Sequence, residues 1–444
     1  MRSIESILLL LLLLACASPL AAAPNIVMIM ADDLGFECIG ANGGSSYKTP
    51  EIDQMAREGM RFDHCYSQPI CTPSRVKLMT GISNIRNYVE FGLLDPEQTT
   101  FAQLLKRKGY ATCVVGKWQL KGGFEGPGHF GFDEYALWQL TRRPSRYPNG
   151  GLEINGEEKD FGGGVYLPDV VNNYACEFIE RNRERPFLLY YPMILTHCPF
   201  EPTPDSEDWD PASPGSKTYK GDAKYFGDMV AYMDKLVGKL LRQLDHTGVR
   251  ENTLVMFVGD NGTDTPVVSR WQGRDLAGAK GKMTDAGTRV PFIASWPGTI
   301  PAGQVSEELV DFSDFLPTMC EVSGIKVPAG IDGRSLLATL RGGGQRHRDW
   351  IYMWYSRNGG NAAARQFARD RRYKLYGDGK FYDLLADPDE KDPLAEFSEV
   401  EGQVRSKLQA GIDDYRDKRP THLGLAKKEK KKDRKTPKAG GGSD

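Results

Sequence analysis

Two adjacent pairs of oxygen-bearing side chains, Asp32-Asp33 and Asp260-Asn261, each close an apolar run in this sequence. Carboxylate and amide oxygens are hard ligands, suited to Ca2+ or Mg2+ and poorly suited to zinc. Taken singly, each pair reads equally well as a helix cap or a solvated turn. Together, at the ends of neighbouring strands, they would form one cation pocket. Between them lies Cys71-Thr72-Pro73-Ser74-Arg75, which opens a predicted helix with Pro73 in its first turn, where a missing N–H costs little. The cysteine reads as a masked nucleophile. Arg75, in the same motif, adds positive charge. A cation ringed by such groups would neutralise and orient an anionic centre under attack.

These residues can meet only if strands deliver them. Asn25–Ala31 is a continuous apolar run that suits a strand buried on both faces. Phe62–Ser67 approaches the cysteine, Tyr110–Gly116 delivers Lys117, Phe187–Met193 leads to His197, and Thr253–Val258 leads to Asp260. Val290–Ser295 follows the loop holding Lys280 and Lys282. Helices are predicted between the strands. Thr49 caps one that Gly59 stops, Thr99 or Thr100 caps Phe101–Lys108, and Asp169–Arg183 has helical period. A long amphipathic stripe runs from Tyr225 to Leu244. Alternation of this kind predicts an α/β fold, a mostly parallel central sheet sandwiched by helices, with ligands at the carboxyl ends of the strands. Residues 121–165, rich in Gly, Pro and aromatics, read as an irregular insert. Its Trp138, Arg142, Arg143, Arg146 and Tyr147 suit either an anionic sugar chain or an ordinary packed loop. After about residue 345 short strands and turns predict a smaller α+β subdomain with an antiparallel sheet. The division is 24–344 for the main domain, 345–420 for the subdomain and 421–444 for a basic disordered tail.

Lys427–Lys438 holds eight basic and two acidic residues, so the net charge of −2 divides into a tail of +6 and a remainder of −8. A body of that sign gives no support to nucleic-acid binding. Residues 1–23 read as an export signal, with leucine at every position from 8 to 14. Cleavage near Ala21–Ala23 competes with a lipobox reading in which Cys16 is lipidated. The expected location is therefore periplasmic, outer-membrane lipoprotein or secreted, with membrane attachment only through that lipid. Of the eight cysteines, six besides Cys16 and Cys71 match no zinc spacing and are expected to be mostly buried free thiols.

From Pro24 to about Leu394 the chain resembles the type I sulfatases of the alkaline-phosphatase superfamily. The resemblance rests on Cys71-x-Pro73-Ser74-Arg75, on both oxygen pairs, on Gly116-Lys117-Trp118, on His197 just before Pro199, and on Lys280 nine residues before Arg289-Val290-Pro291. It implies that a formylglycine-generating maturation enzyme oxidises Cys71 to Cα-formylglycine. It also implies that Asp32, Asp33, Asp260, Asn261 and the modified Cys71 hold one divalent cation, usually calcium with magnesium as the alternative. Arg75, Lys117, His197, Lys280 and the residue at 119 would bind the sulfate. The hydrated aldehyde would attack sulfur in line, with His197 or Lys280 giving a proton to the departing oxygen. A second hydroxyl on the same carbon would then release sulfate, a step that plain serine or cysteine lacks.

Three positions depart from the family pattern. Gln119 stands where a histidine is usual, and glutamine cannot shuttle a proton near neutral pH. Ile82 replaces an arginine of the longer maturation signature, and Asp285-Ala286-Gly287 replaces Glu-Gly-Gly. The leading expectation is a sulfatase acting on a sulfated saccharide. The alternatives are a phosphonate or phosphodiester hydrolase on the same scaffold and an inactive glycan-binding homologue.

Overall fold

The computed structural model describes residues 23–216, 221–344 and 346–424. The expected export segment with Cys16 and the basic run 427–438 lie outside the described residues. Ten strands form one sheet, and β9 (Val268–Trp271) and β10 (Arg274–Ala277) pair as a separate antiparallel hairpin. In spatial order the ten are β12 (Gln304–Asp311), β2 (Met60–Tyr66), β11 (Phe292–Ser295), β8 (Thr253–Gly259), β1 (Asn25–Ala31), β7 (Phe187–Pro192), β3 (Ala111–Lys117), β4 (Glu134–Trp138), β5 (Gly151–Ile154) and β6 (Glu157–Asp160). The central block β8-β1-β7-β3-β4 is parallel throughout. β11 runs antiparallel to both its neighbours.

Every residue of β1, β3, β7 and β8 is buried, which is why these strands read as unbroken apolar runs. On one face Ile26, Met28 and Met30 pack with the helices Cys71–Thr80 and Phe101–Arg107. On the other, Val27, Ile29 and Ala31 pack with the helices Leu167–Asn182 and Phe226–His246. Truncating one of the larger of these side chains to Ala would cost about 2–5 kcal/mol.

Two local expectations need correction. The insert 121–165 is not irregular: it supplies β4, β5 and β6, and so extends the sheet. Thr49 precedes the helix Pro50–Arg57 but does not cap it; its hydroxyl donates to Asp53 Oδ1. The N–H groups of Glu51 and Ile52 donate instead to the carboxylate of Asp234, on the helix Phe226–His246, at 3.1 and 2.8 Å. Thr100 does cap its helix, in a capping box with Gln103.

Beyond residue 345 a separate four-stranded antiparallel sheet forms from β13 (Ile351–Tyr355), β14 (Arg365–Arg369), β15 (Tyr373–Tyr376) and β16 (Phe381–Asp383). The helix Glu399–Asp413, capped by Ser398 and Glu401, packs against it. All seven cysteines among the described residues are free thiols. No helix among the described residues is long and apolar enough to cross a membrane.

Candidate active site

Parallel register decides the site. Ala31 of β1 pairs with Gly259 of β8, and Met30 with Pro192 of β7, so three strands end side by side. The two oxygen pairs therefore interlock: Asp33 N–H donates to Asp260 Oδ1 at 3.0 Å, and Asn261 Nδ2 donates to Asp33 Oδ1 at 2.8 Å. A side chain at Gly259 would meet the carbonyl of Leu34 at 2.1 Å, so only glycine allows β8 to turn there. Gly116, with φ of +114°, does the same for β3 beneath the carbonyl of Pro192. It sets Lys117 at the strand end, where its ammonium holds Asp32 at 2.8 and 2.7 Å through the two carboxylate oxygens.

Cys71 opens the helix Cys71–Thr80, every residue of which is buried. Ser74 ties the turn by donating to Ile70 O at 3.0 Å and accepting from Gln68 N–H at 3.1 Å. Arg75 lies one turn after Cys71 and so shares its face. Its guanidinium donates to Lys117 O at 2.8 Å and lies 3.4 Å from Asp260 Oδ2. Lys280 reaches Asp33 Oδ2 at 2.5 Å and lies 3.1 Å from His197 Nε2. The thiol of Cys71 feels the charges of Lys117, Asp260, Asp32 and Lys280. The other predicted site residues are thus linked to one another; Gln119, half-buried with φ of +64°, makes no side-chain hydrogen bond among the described residues.

Arg146 belongs with this group, whereas sequence reasoning placed it in an insert read either as a binder of an anionic sugar chain or as a packed loop. It is buried, stacks its guanidinium 4.1 Å over the ring of Trp138, and donates to Asp32 Oδ2 at 3.2 Å. Of its named neighbours only Arg143 is exposed. Trp138 and Tyr147 are buried, and Arg142 pairs with Glu153 and Asp160 at 3.1 and 2.6 Å. The insert is packed against the site. The only local signal would have been a run of arginines beside tryptophan.

Three buried carboxylates thus face four buried or nearly buried cations, Arg75, Lys117, Arg146 and Lys280. Burial opposes the charge on Asp32, but Lys117, Arg146 and Arg75 together hold its carboxyl well below the usual range. Burial raises Asp33 against the pull of Lys280. Burial and the neighbouring Asp32 push Asp260 up to about 8. Burial, then Arg146 and Lys280, hold His197 well below the ordinary imidazole value. Burial also raises the Cys71 thiol.

The donor set fits a hard divalent cation. Asp32, Asp33 and His197 bring ligand atoms within 4.8 Å of one another. The amide of Asn261 faces two acceptors, Asp33 Oδ1 and Gly262 O, with its nitrogen. That fixes its orientation and leaves buried Oδ1 with no hydrogen-bond partner. An unpartnered buried acceptor beside Asp33 and Asp260, whose carboxyls are raised chiefly by burial, is what a cation would satisfy.

An α/β sheet carrying oxygen ligands at its strand ends, a buried helix-borne cysteine and converging cations define an alkaline-phosphatase-like hydrolase. Residues 24–325 match the Sulfatase family, and residues 279–418 match the family described as N-sulphoglucosamine sulphohydrolase, C-terminal. Arylsulfatase G of Mus musculus is 31% identical, over 89% of this chain and 85% of its own length. N-acetylgalactosamine-6-sulfatase of Mus musculus is 33% identical, over 77% and 72%. The crystal structure of Ps i-CgsB in complex with k-i-k-neocarrahexaose superposes with a TM-score of 0.75 at 25% identity, covering 90% of this chain and 94% of that one. This chain belongs to the sulfatase family of the alkaline-phosphatase superfamily and is a sulfuric ester hydrolase.

Proposed function

We propose that the enzyme removes sulfate from a sulfated carbohydrate, with Cys71 converted to Cα-formylglycine and a divalent cation, Ca2+ or Mg2+, at Asp32, Asp33, Asp260 and Asn261. One observation carries the reading: Cys71, both oxygen pairs and the cationic groups converge at the carboxyl ends of β1, β3 and β8. Hydrated formylglycine at this position would supply a hydroxyl for attack and a second one for release. When bound, the cation supplies charge neutralisation at the sulfate and the attacking oxygen.

The chain's own residues do the rest. Arg75 and Lys117 are locked together, carbonyl to guanidinium, and present positive charge beside position 71. Lys117 and Arg146 hold Asp32 in its charged form from two sides. Lys280 would give the proton to the departing oxygen, with His197 accepting from it at Nε2. The carbohydrate assignment is supported by relatives whose names specify a sulfated amino sugar or a neocarrahexaose complex. Export, on the leucine run at 8–14, and a division near residue 345, where the sheet type changes, belong to the same reading. The test is sulfate release from defined sulfated saccharides beside aryl phosphates and phosphonates, with mass analysis of the Cys71 peptide. Faster turnover of the phosphoryl esters would overturn it.

A further inference from the structure

A groove of about 1140 Å³ opens beside the catalytic pocket, between the antiparallel sheet and the loop that follows Lys280. Its wall begins one residue after Lys280. Gly281, in its wall, donates from its N–H to Pro69 O at 2.8 Å, two residues before Cys71. Tyr355, on β13, also lines it.

The groove is cationic in an unusual way. Two of its basic groups are neutralised locally: Lys380 pairs with Asp378 at 3.5 Å, and Arg416 with Asp413 at 2.5 Å. Its acidic Glu390 is in turn held by Lys374 at 2.9 Å. Lys282, Arg357 and Arg365 are exposed, line the groove, and make no ion pair among the described residues. Arg419 is held by carbonyls of Ile85, Tyr88 and Gly359 and by Asn361, with no carboxylate among its described partners, and stacks 4.4 Å over Trp354. Aromatic faces beside uncompensated guanidinium groups suit a sugar ring that bears an anion.

Building on the sulfatase reading above, we propose that this groove binds a second anionic group, a sulfate or carboxylate on a neighbouring saccharide unit. The substrate would then be an oligosaccharide or polymer with repeated negative charge, held by Arg357, Arg365 and Lys282 while one sulfate occupies the catalytic pocket. Binding there would depend on ionic strength, because these groups are exposed.

The test uses the full chain as Cys71→Ala, which separates binding from turnover. Calorimetric titration compares monosulfated monosaccharides with sulfated tetrasaccharides prepared from heparin, chondroitin sulfate and carrageenan. At least one tetrasaccharide should bind about tenfold or more tighter than its monosaccharide, and Arg357→Ala/Arg365→Ala should erase that advantage while changing monosaccharide binding less than about twofold. The same double variant with Cys71 intact should hydrolyse an aryl sulfate as the wild type does. The proposal is overturned if no tetrasaccharide outbinds its monosaccharide, or if the variant weakens both equally. If the tetrasaccharide advantage vanishes in the variant but the wild type hydrolyses no sulfate ester, the groove stands and the hydrolytic reading falls.

Discussion

The ammonium of Lys280 lies 3.1 Å from Nε2 of His197. An ammonium can only donate, so Nε2 must accept, and the ring proton must sit on Nδ1, where it donates to Cys198 O at 2.5 Å. The lowered imidazole value agrees with this neutral form. Of the two candidate acids, Lys280 therefore holds the proton that a leaving oxygen can take. Lys280→Ala should reduce kcat/KM on a sulfated sugar by about 10²–10⁴-fold and on a nitrophenyl sulfate much less, because a good leaving group needs little proton transfer. Equal losses on both substrates would assign Lys280 to binding alone.

Removing the nucleophile should cost most. Cys71→Ala should lower sulfate release by at least about 10³-fold while leaving circular dichroism and melting unchanged. Cys71→Ser, which gains a hydroxyl but cannot hydrate to a diol, should stop after at most one turnover. Sustained release by either variant would contradict the assigned role.

The cation pocket predicts dependence on a divalent ion. Dialysis against a chelator should abolish turnover, and adding Ca2+ or Mg2+ should restore it; metal analysis of the restored protein then identifies the ion. Asn261→Ala removes the unpartnered Oδ1, and should raise the ion concentration needed for half-activity. Full activity in chelator would exclude the pocket's role.

Arg146 should matter although no local pattern singles it out. Arg146→Met keeps much of the apolar stem over Trp138 but leaves Asp32 with Lys117 as its main cationic hold. Activity should fall about 10–10²-fold, with little change in expression or secondary structure. Lysine at the same position should recover only part, since it lacks the planar fork that stacks on indole.

Stability should respond to pH through Asp234, far from the chemistry. Burial pushes its carboxyl from 3.8 to about 6, even though two helix N–H groups donate to it. A raised carboxyl binds its proton more tightly folded than unfolded. Its stabilising contribution is therefore complete below the unfolded value and is lost as pH rises through about 6. Melting temperatures of wild type and Asp234→Asn, compared from acid to neutral pH, should diverge in favour of Asn as pH increases. A constant difference would show that the carboxyl titrates normally.

Local pattern alone determined the strands that end in Asp32 and Asp260, the helix opened by Cys71, and the i to i+4 relation of Cys71 to Arg75. Burial on both faces leaves an unbroken apolar run, and a helical turn places residues four apart on one side whatever the rest of the chain does. The family resemblance then supplied Lys117, His197 and Lys280, whose spacing in the chain carries no geometry of its own. Tertiary structure decided what depends on which faces meet. Arg146 lands on Asp32 only because β4, β5 and β6 fold the glycine-rich insert back against the sheet. Asp234 caps a helix nearly two hundred positions away because two helices cross there. The cationic groove exists only where the second sheet docks beside Lys280. Each of these contacts joins residues remote in sequence, and no periodicity records such pairings; they are set by packing once the chain has closed.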